Sequence, residues 1–263
     1  MPASPPPRSP RALPSPAVTH VAPFVVFMGF LALKGFFKDA DQYPPGTPWY
    51  LAQAEHWIYP LQTLSCLALL AWWWPAYPIH RLKASTAALA IAVGTLGIAW
   101  WIAPSILYER WDVASWGAPS WWHWKWLGLA PRGSDGFNPT LWQDQPVLFA
   151  AAVAMRFLRM GLAVPILEEL FWRSFLWRSA ADPYRDFWLA PLGQWSARAL
   201  ATTVPLFALA HQPVDWLGAI GWALLVSAVL VRTKSLSACI LTHATSNLLL
   251  GWYVMETQQW GFW

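Results

Sequence analysis

Glu168, Glu169 and Arg173 stand inside an apolar, helix-length stretch, Pro165-Ile166-Leu167-Glu168-Glu169-Leu170-Phe171-Trp172-Arg173. One ionisable side chain at the centre of a membrane helix costs about 2.5–3.5 kcal/mol on insertion scales. Three of them so close together point to function. On a helix Glu169 and Arg173 are i and i+4, so they share a face and can pair, with the glutamate on the favoured N-terminal side. Glu168 lies about 100° away around the helix axis and is left without that partner. One carboxylate therefore reads as structural and the other as free for chemistry. The same spacing of four recurs in Phe207-x-x-x-His211 and His243-x-x-x-Asn247. Polar groups in membrane helices face the bundle interior or a wet cavity. Two carboxylates, two imidazoles and an amide are thus expected to converge on one polar pocket inside the bilayer.

A glutamate beside a histidine can hold and deprotonate water, a step worth roughly 10²–10⁴ in rate. A second histidine and an asparagine amide can donate to a developing oxyanion, where one donor is worth about 10²–10³. The set is complete for hydrolysing an amide by an activated water. Glu168, His211 and His243 could instead make a three-ligand zinc site, although no His-Glu-x-x-His motif fixes two histidines on one helix. No cofactor is firmly implied, and a divalent metal such as zinc stays open. Cys66 and Cys239 lie in apolar runs and read as small buried side chains. Ser174 and Ser246 lack the Gly-flanked turn of a nucleophile elbow.

The elements that must position these groups are membrane helices. Of 263 residues, 57% are hydrophobic and 11% charged, against about 25% charged in a typical soluble domain. The chain carries 23 Trp, many flanking apolar runs as in Trp72-Trp73-Trp74, Trp100-Trp101 and Trp121-Trp122, which suits the membrane–water interface. The net charge of +4 fits cytoplasmic loops, and no basic cluster argues for nucleic acid. The fold class is all-α: a polytopic helical bundle of about seven spans, or eight with one hidden in a long connection.

In chain order, residues 1–19 read as a disordered Pro-rich tail. No clean cleavage site follows the first apolar run, so a retained helix is expected over about 18–37. Further spans are expected at about 56–79 and 84–104, the latter with Gly94 and Gly97 for close helix approach. Residues 105–145 read as a Trp-rich interfacial connection with short helices. Arg156 and Arg159 interrupt the next apolar sequence. A helix from about 147 would place Glu168 near its far end; a span of about 158–178 behind an amphipathic lead-in at 142–157 places it near mid-membrane, and is favoured because His211 lies late in the antiparallel fifth helix. The last spans fall at about 197–213, 214–231 and 236–255. His20, His56, His80 and His123 read as interfacial. The resulting division is tail 1–19, N-terminal helices and loop 20–145, core 146–256 and tail 257–263. Basic turns at Arg81/Lys83, Arg178–Arg198 and Arg232/Lys234 place the N-terminus in the cytoplasm.

Glu168-Glu169-x-x-x-Arg173, then Phe207-x-x-x-His211, then His243-x-x-x-Asn247, in that order on three apolar helices, resembles the type II CAAX prenyl endopeptidases of the CPBP intramembrane protease superfamily. The resemblance covers about residues 150–250. It implies that Glu168 and His211 activate water, that His243 and Asn247 form the oxyanion site, and that Glu169 and Arg173 support and orient it. It also implies a membrane protein or peptide substrate, in some relatives lipid-modified. The run Glu-Glu-Leu-Phe-Trp-Arg-Ser-Phe-Leu and the Trp content look like the bacterial subgroup associated with exosortase systems, which implies the inner membrane of a bacterium. Two other classes use the same residues differently: a non-proteolytic scaffold or immunity-type protein, and a transporter with the Glu/His set as proton relay.

Overall fold

The computed structural model describes residues 13–38, 42–117, 124–132 and 136–263. The Trp121-Trp122 pair, His123 and most of the tail lie outside the described residues.

Among the described residues the chain forms seven helices of thirteen residues or more and no strand. They are α1 (Pro16–Lys34), α2 (Glu55–Trp72), α3 (Ala84–Arg110), α4 (Pro146–Ala181), α5 (Ala197–Leu209), α6 (Trp216–Thr233) and α7 (Leu236–Thr257). α1, α3, α4 and the segment Pro213–Thr233 are long and apolar enough to cross a membrane. Helices start where the sequence supplies caps. Ser15, Ser196 and Ser235 each accept the backbone N–H three residues on, at Val18, Ala199 and Ala238. Pro146 opens α4, where its missing N–H is no loss. Lys234, in the left-handed conformation (φ 54°), turns α6 directly into α7.

Two expectations need correction. α1 begins at Pro16, inside the stretch read as tail. The fourth span is one unbroken helix of 36 residues from Pro146, without a separate lead-in. Arg156 and Arg159 interrupt the apolar run in the sequence, yet both are buried within the helix. At ~1.5 Å per residue α4 is roughly 54 Å long, well beyond the ~30 Å hydrocarbon layer. The connection after α3 does carry short 3₁₀ turns, at Val113–Trp116, Trp124–Leu127 and Pro139–Trp142.

α4 changes its own winding. Arg159–Ala163 and Leu170–Leu176 are π-helical, on either side of the α-helical Val164–Glu169. Pro165 gives a cause for the first. Inside an α-helix its ring clashes with the carbonyl four residues earlier and offers no N–H to it, and a wider turn relieves both. Such π segments recur at functional sites, and here they bracket the glutamate pair.

The bundle holds two apolar cores. One gathers Trp172, Trp177, Phe207, Trp222 and Cys239 between the end of α4 and α5–α7. The other gathers Phe27, Cys66, Leu70, Leu167 and Leu170 between α1, α2 and α4. Both cysteines are free and buried, as the sequence indicated. α3 packs along α6 and α7. A Cβ on Gly94 would sit 2.6 Å from the Thr242 carbonyl oxygen, and one on Gly97 would sit 2.8 Å from Trp222. These glycines do permit the close approach.

Candidate active site

A cavity of about 400 Å³ opens between the helices. Glu168 of α4, Phe207 of α5, His211 just beyond it, and His243 and Asn247 of α7 all line it. Motif residues separated by up to 79 positions therefore meet in one chamber, as their apolar surroundings predicted.

Glu169 lies behind the chamber wall, fully buried at 0% exposure. Its Oε2 is 3.3 Å from Nε of Arg173, the expected i,i+4 pair. Its Oε1 accepts from Nδ1 of His243 at 2.9 Å, a contact the spacing alone did not reveal. Arg173 lies over the rings of Phe207 and Trp222, at 5.0 and 5.3 Å. Trp222 stacks on Phe207 and presents its ring to His243, with centroids 5.2 and 4.6 Å apart. Its Nε1 donates to Ser246 Oγ, which lies 2.8 Å from the Gly94 carbonyl oxygen. Glu169 and Arg173 are thus buried and paired. Glu168 is half-buried on the chamber wall and makes no hydrogen bond or ion pair with any described residue. Glu169 is thus the paired carboxylate, at the i,i+4 spacing, and Glu168 the one on the chamber wall.

The two histidines are wired differently. His211 Nδ1 lies 2.8 Å from the backbone oxygen of Phe207. A carbonyl only accepts, so Nδ1 carries the proton and Nε2 of a neutral ring is a lone pair. His211 sits just past the end of α5 rather than within it. Trp101 of α3 packs edge-on at 5.3 Å and is itself anchored to Asp215 Oδ1 at 3.1 Å. Arg132 closes that corner by donating to the same oxygen at 2.7 Å. His243 instead gives its Nδ1 proton to a carboxylate, which supplies a counter-charge if the ring also holds a proton on Nε2. Asn247 donates through Nδ2 to the Met160 oxygen at 2.8 Å, in the first π segment of α4. The second N–H of that amide remains for the chamber.

Sequence reasoning did not bring several groups here. Arg156 and Arg159 line the same cavity, at 7% and 8% exposure. Tyr59, Trp101, Asp215 and Trp222 line it too, as do Gly261, Phe262 and Trp263 from the stretch read as a tail. His20 is buried between Tyr77 and Phe187. The only signal for the arginines was charge in an apolar run, the same signal that marked Glu168.

Among the described residues no three His, Cys, Asp or Glu side chains gather closely enough to hold one ion. Glu168, His211 and His243 share a chamber without forming a ligand cluster.

Fold and site together define an all-helical integral membrane protein with a polar chamber enclosed by its helices. Residues 150–249 match the model of the Rce1-like family, the type II CAAX prenyl endopeptidases. Over that stretch the chain is similar to CAAX-protease-like intramembrane endopeptidases. No curated protein and no solved structure matches the chain.

Proposed function

We propose that the chain hydrolyses a peptide bond inside this chamber by a metal-free, glutamate-type mechanism. Glu168 and His211 hold a water between them. His211, with its Nδ1 proton given to a carbonyl, keeps an acceptor for the water at Nε2. Glu168 takes the proton as the water oxygen attacks the scissile carbonyl carbon, and delivers it to the leaving amine. His243, backed by Glu169, and the second N–H of Asn247 donate to the carbonyl oxygen as it becomes an oxyanion. Glu169 and Arg173 are positioning residues that hold the His243 ring. The observation that carries this reading is the opposed state of the adjacent glutamates: one sealed into ion pairs, one facing the chamber with no hydrogen bond or ion pair to any described residue.

The substrate on this reading is a membrane-associated peptide, in the CAAX case a lipid-modified one cut near its end. The exosortase-associated subgroup, a bacterial inner membrane and a cytoplasmic N-terminus belong to the same proposal. They are supported by the glutamate-motif sequence and by the basic turns.

Purified protein should process a substrate peptide, and Glu168→Gln and His211→Ala should each lower kcat by roughly 10²-fold or more. Processing that survives both substitutions would overturn the proposal. pH-driven flux into liposomes without processing would point to a proton relay. Processing lost in strong chelator and restored by zinc would return the mechanism to a metal.

A further inference from the structure

We infer that residues 259–263 are a lid on the chamber, which a substrate must displace to reach Glu168; the inference rests on the endopeptidase reading. α3 and α7 run in the same direction, because Gly94 and Gly97 meet Thr242 and Ser246 while Glu109 meets Gln259. α4 runs against them: Glu169 meets His243, Met160 meets Asn247, and Phe157 meets Gly251. α7 continues past Gly251 for six residues to Thr257, roughly 9 Å further from the motif residues. There the chain doubles back. Gln258 takes the left-handed conformation (φ 56°), which few residues other than glycine adopt, and ends the helix. Trp263, twelve residues beyond Gly251 in sequence, packs on the same Phe157, with ring centroids 6.4 Å apart. Gly261, Phe262 and Trp263 thereby line the cavity, on the side where α3 and α7 end.

A permanent wall satisfies the polar groups that it buries. This segment does not. Trp263 Nε1 is buried with no acceptor among the described residues, and so are Nε and Nη1 of Arg156, whose guanidinium lies 5.1 Å from the Trp263 ring centroid. Aromatic faces support that charge but accept none of its in-plane N–H groups. Lifting the segment would hydrate these donors, so the closed seat carries a penalty that opening relieves. Ring contacts oppose it. Trp263 packs on Trp260 and Phe137, with centroids 5.4 and 6.1 Å apart. Arg132 lies 3.8 Å from the Phe262 ring centroid while it donates to Asp215 and Ser105 at 2.7 and 2.9 Å. The polar ties beside the reversal are long: Gln259 Nε2 donates to Glu109 Oε1, and Tyr253 Oη to Gln259 Oε1, both at 3.3 Å. The seat is nonetheless shaped for the segment. Gly136 backs onto Trp260 so closely that a Cβ would overlap its carbonyl oxygen. A fitted seat, long polar ties at the reversal and buried donors that opening would hydrate describe a part that closes and lifts.

The test uses the full chain in detergent. Ile98 of α3 is 7% exposed and lines the chamber. The rate at which a water-soluble cationic methanethiosulfonate labels Ile98→Cys, above the labelling of the two native cysteines, therefore reads opening without any chemistry on a substrate. Cleavage is read by mass spectrometry on the acetylated tetrapeptide S-farnesylcysteinyl-valyl-leucyl-leucine. Gly136→Ala pushes on Trp260 from the connection after α3, and Trp263→Ala removes the ring inside the chamber. Each should speed labelling about fivefold or more and lower KM by a like factor at similar kcat, since apparent affinity scales with the open fraction. Glu109→Cys with Gln259→Cys, joined by a short bis-methanethiosulfonate bridge, should slow cleavage about tenfold until a reductant cuts the bridge. Should Trp263→Ala fail to fold, Gly136→Ala and the bridge carry the test. Unchanged labelling in the variants overturns the lid, whether or not the peptide is cut, and makes residues 259–263 a fixed wall. Faster labelling with cleavage unchanged, or cleavage undiminished by the bridge, puts the substrate's route elsewhere and overturns it as well. Faster labelling with the peptide cut by no form of the protein supports the lid and counts against the endopeptidase.

Discussion

Glu168 and Glu169 are chemically the same side chain one residue apart, and their surroundings separate them. Glu169 is sealed from solvent between Arg173 and His243. Removing one partner of a buried ion pair leaves the other uncompensated and costs about 3–5 kcal/mol. Glu169→Gln is therefore expected to lower the thermal stability of the purified protein and its activity together. Glu168 forms no hydrogen bond or ion pair with any described residue, so Glu168→Gln should remove activity with little loss of Tm. Thermal unfolding in detergent beside a processing assay checks the pair; equal stability losses would contradict the division. The i,i+4 rule alone made the Glu169–Arg173 pair legible in the sequence, and with it the freedom of Glu168. The His243–Glu169 bond was not legible, because it joins residues 74 apart and no local spacing encodes it.

At the scale of elements, α4 carries the main difference between expectation and structure. In a hydropathy reading Arg156 and Arg159 interrupt the apolar run. Their aromatic surroundings, supplied by α2 and by segments far along the chain, make them interior. The π segments were equally hidden, since apolar periodicity is too coarse to register one extra residue per turn. Their consequence is testable. Pro165→Ala restores an N–H and removes the ring clash, which allows the first π segment to relax towards α-helix. Changing the winding by one residue rotates the remainder of α4 by up to about 100°, and displacements near 1 Å already cost about 10²-fold in rate. Pro165→Ala should keep the fold and lower kcat by roughly that factor, read in the same processing assay; full activity would show the π winding to be incidental. Gly94→Leu tests the α3–α7 contact. A Cβ there already lies 2.6 Å from the Thr242 oxygen, so overpacking should cost about 1–3 kcal/mol, seen as a lower Tm.

Across the whole molecule, the motif-free N-terminal half turns out to be wall. Phe24 and Phe27 of α1, Tyr59 of α2 and Trp101 of α3 face the chamber whose chemistry sits on α4 to α7. The sequence revealed the helices, through apolar runs separated by basic turns, and the three motifs through charge where charge is costly. It could not reveal which helix faces enclose the site, because in a membrane bundle lipid-facing and chamber-facing apolar residues look alike. Enclosure matters to the chemistry, because a chamber that limits water strengthens each electrostatic contact within it.

The central claim is that a lone carboxylate in this chamber primes water to cut a peptide chain. The most direct measurement compares the termini of membrane proteins by mass spectrometry in cells carrying the wild-type chain or Glu168→Gln at equal abundance. A new C-terminus on one or a few proteins, present with the wild type and missing with Glu168→Gln, is the predicted result. Identical termini in both cells, with the wild-type protein folded in its membrane, would contradict the account.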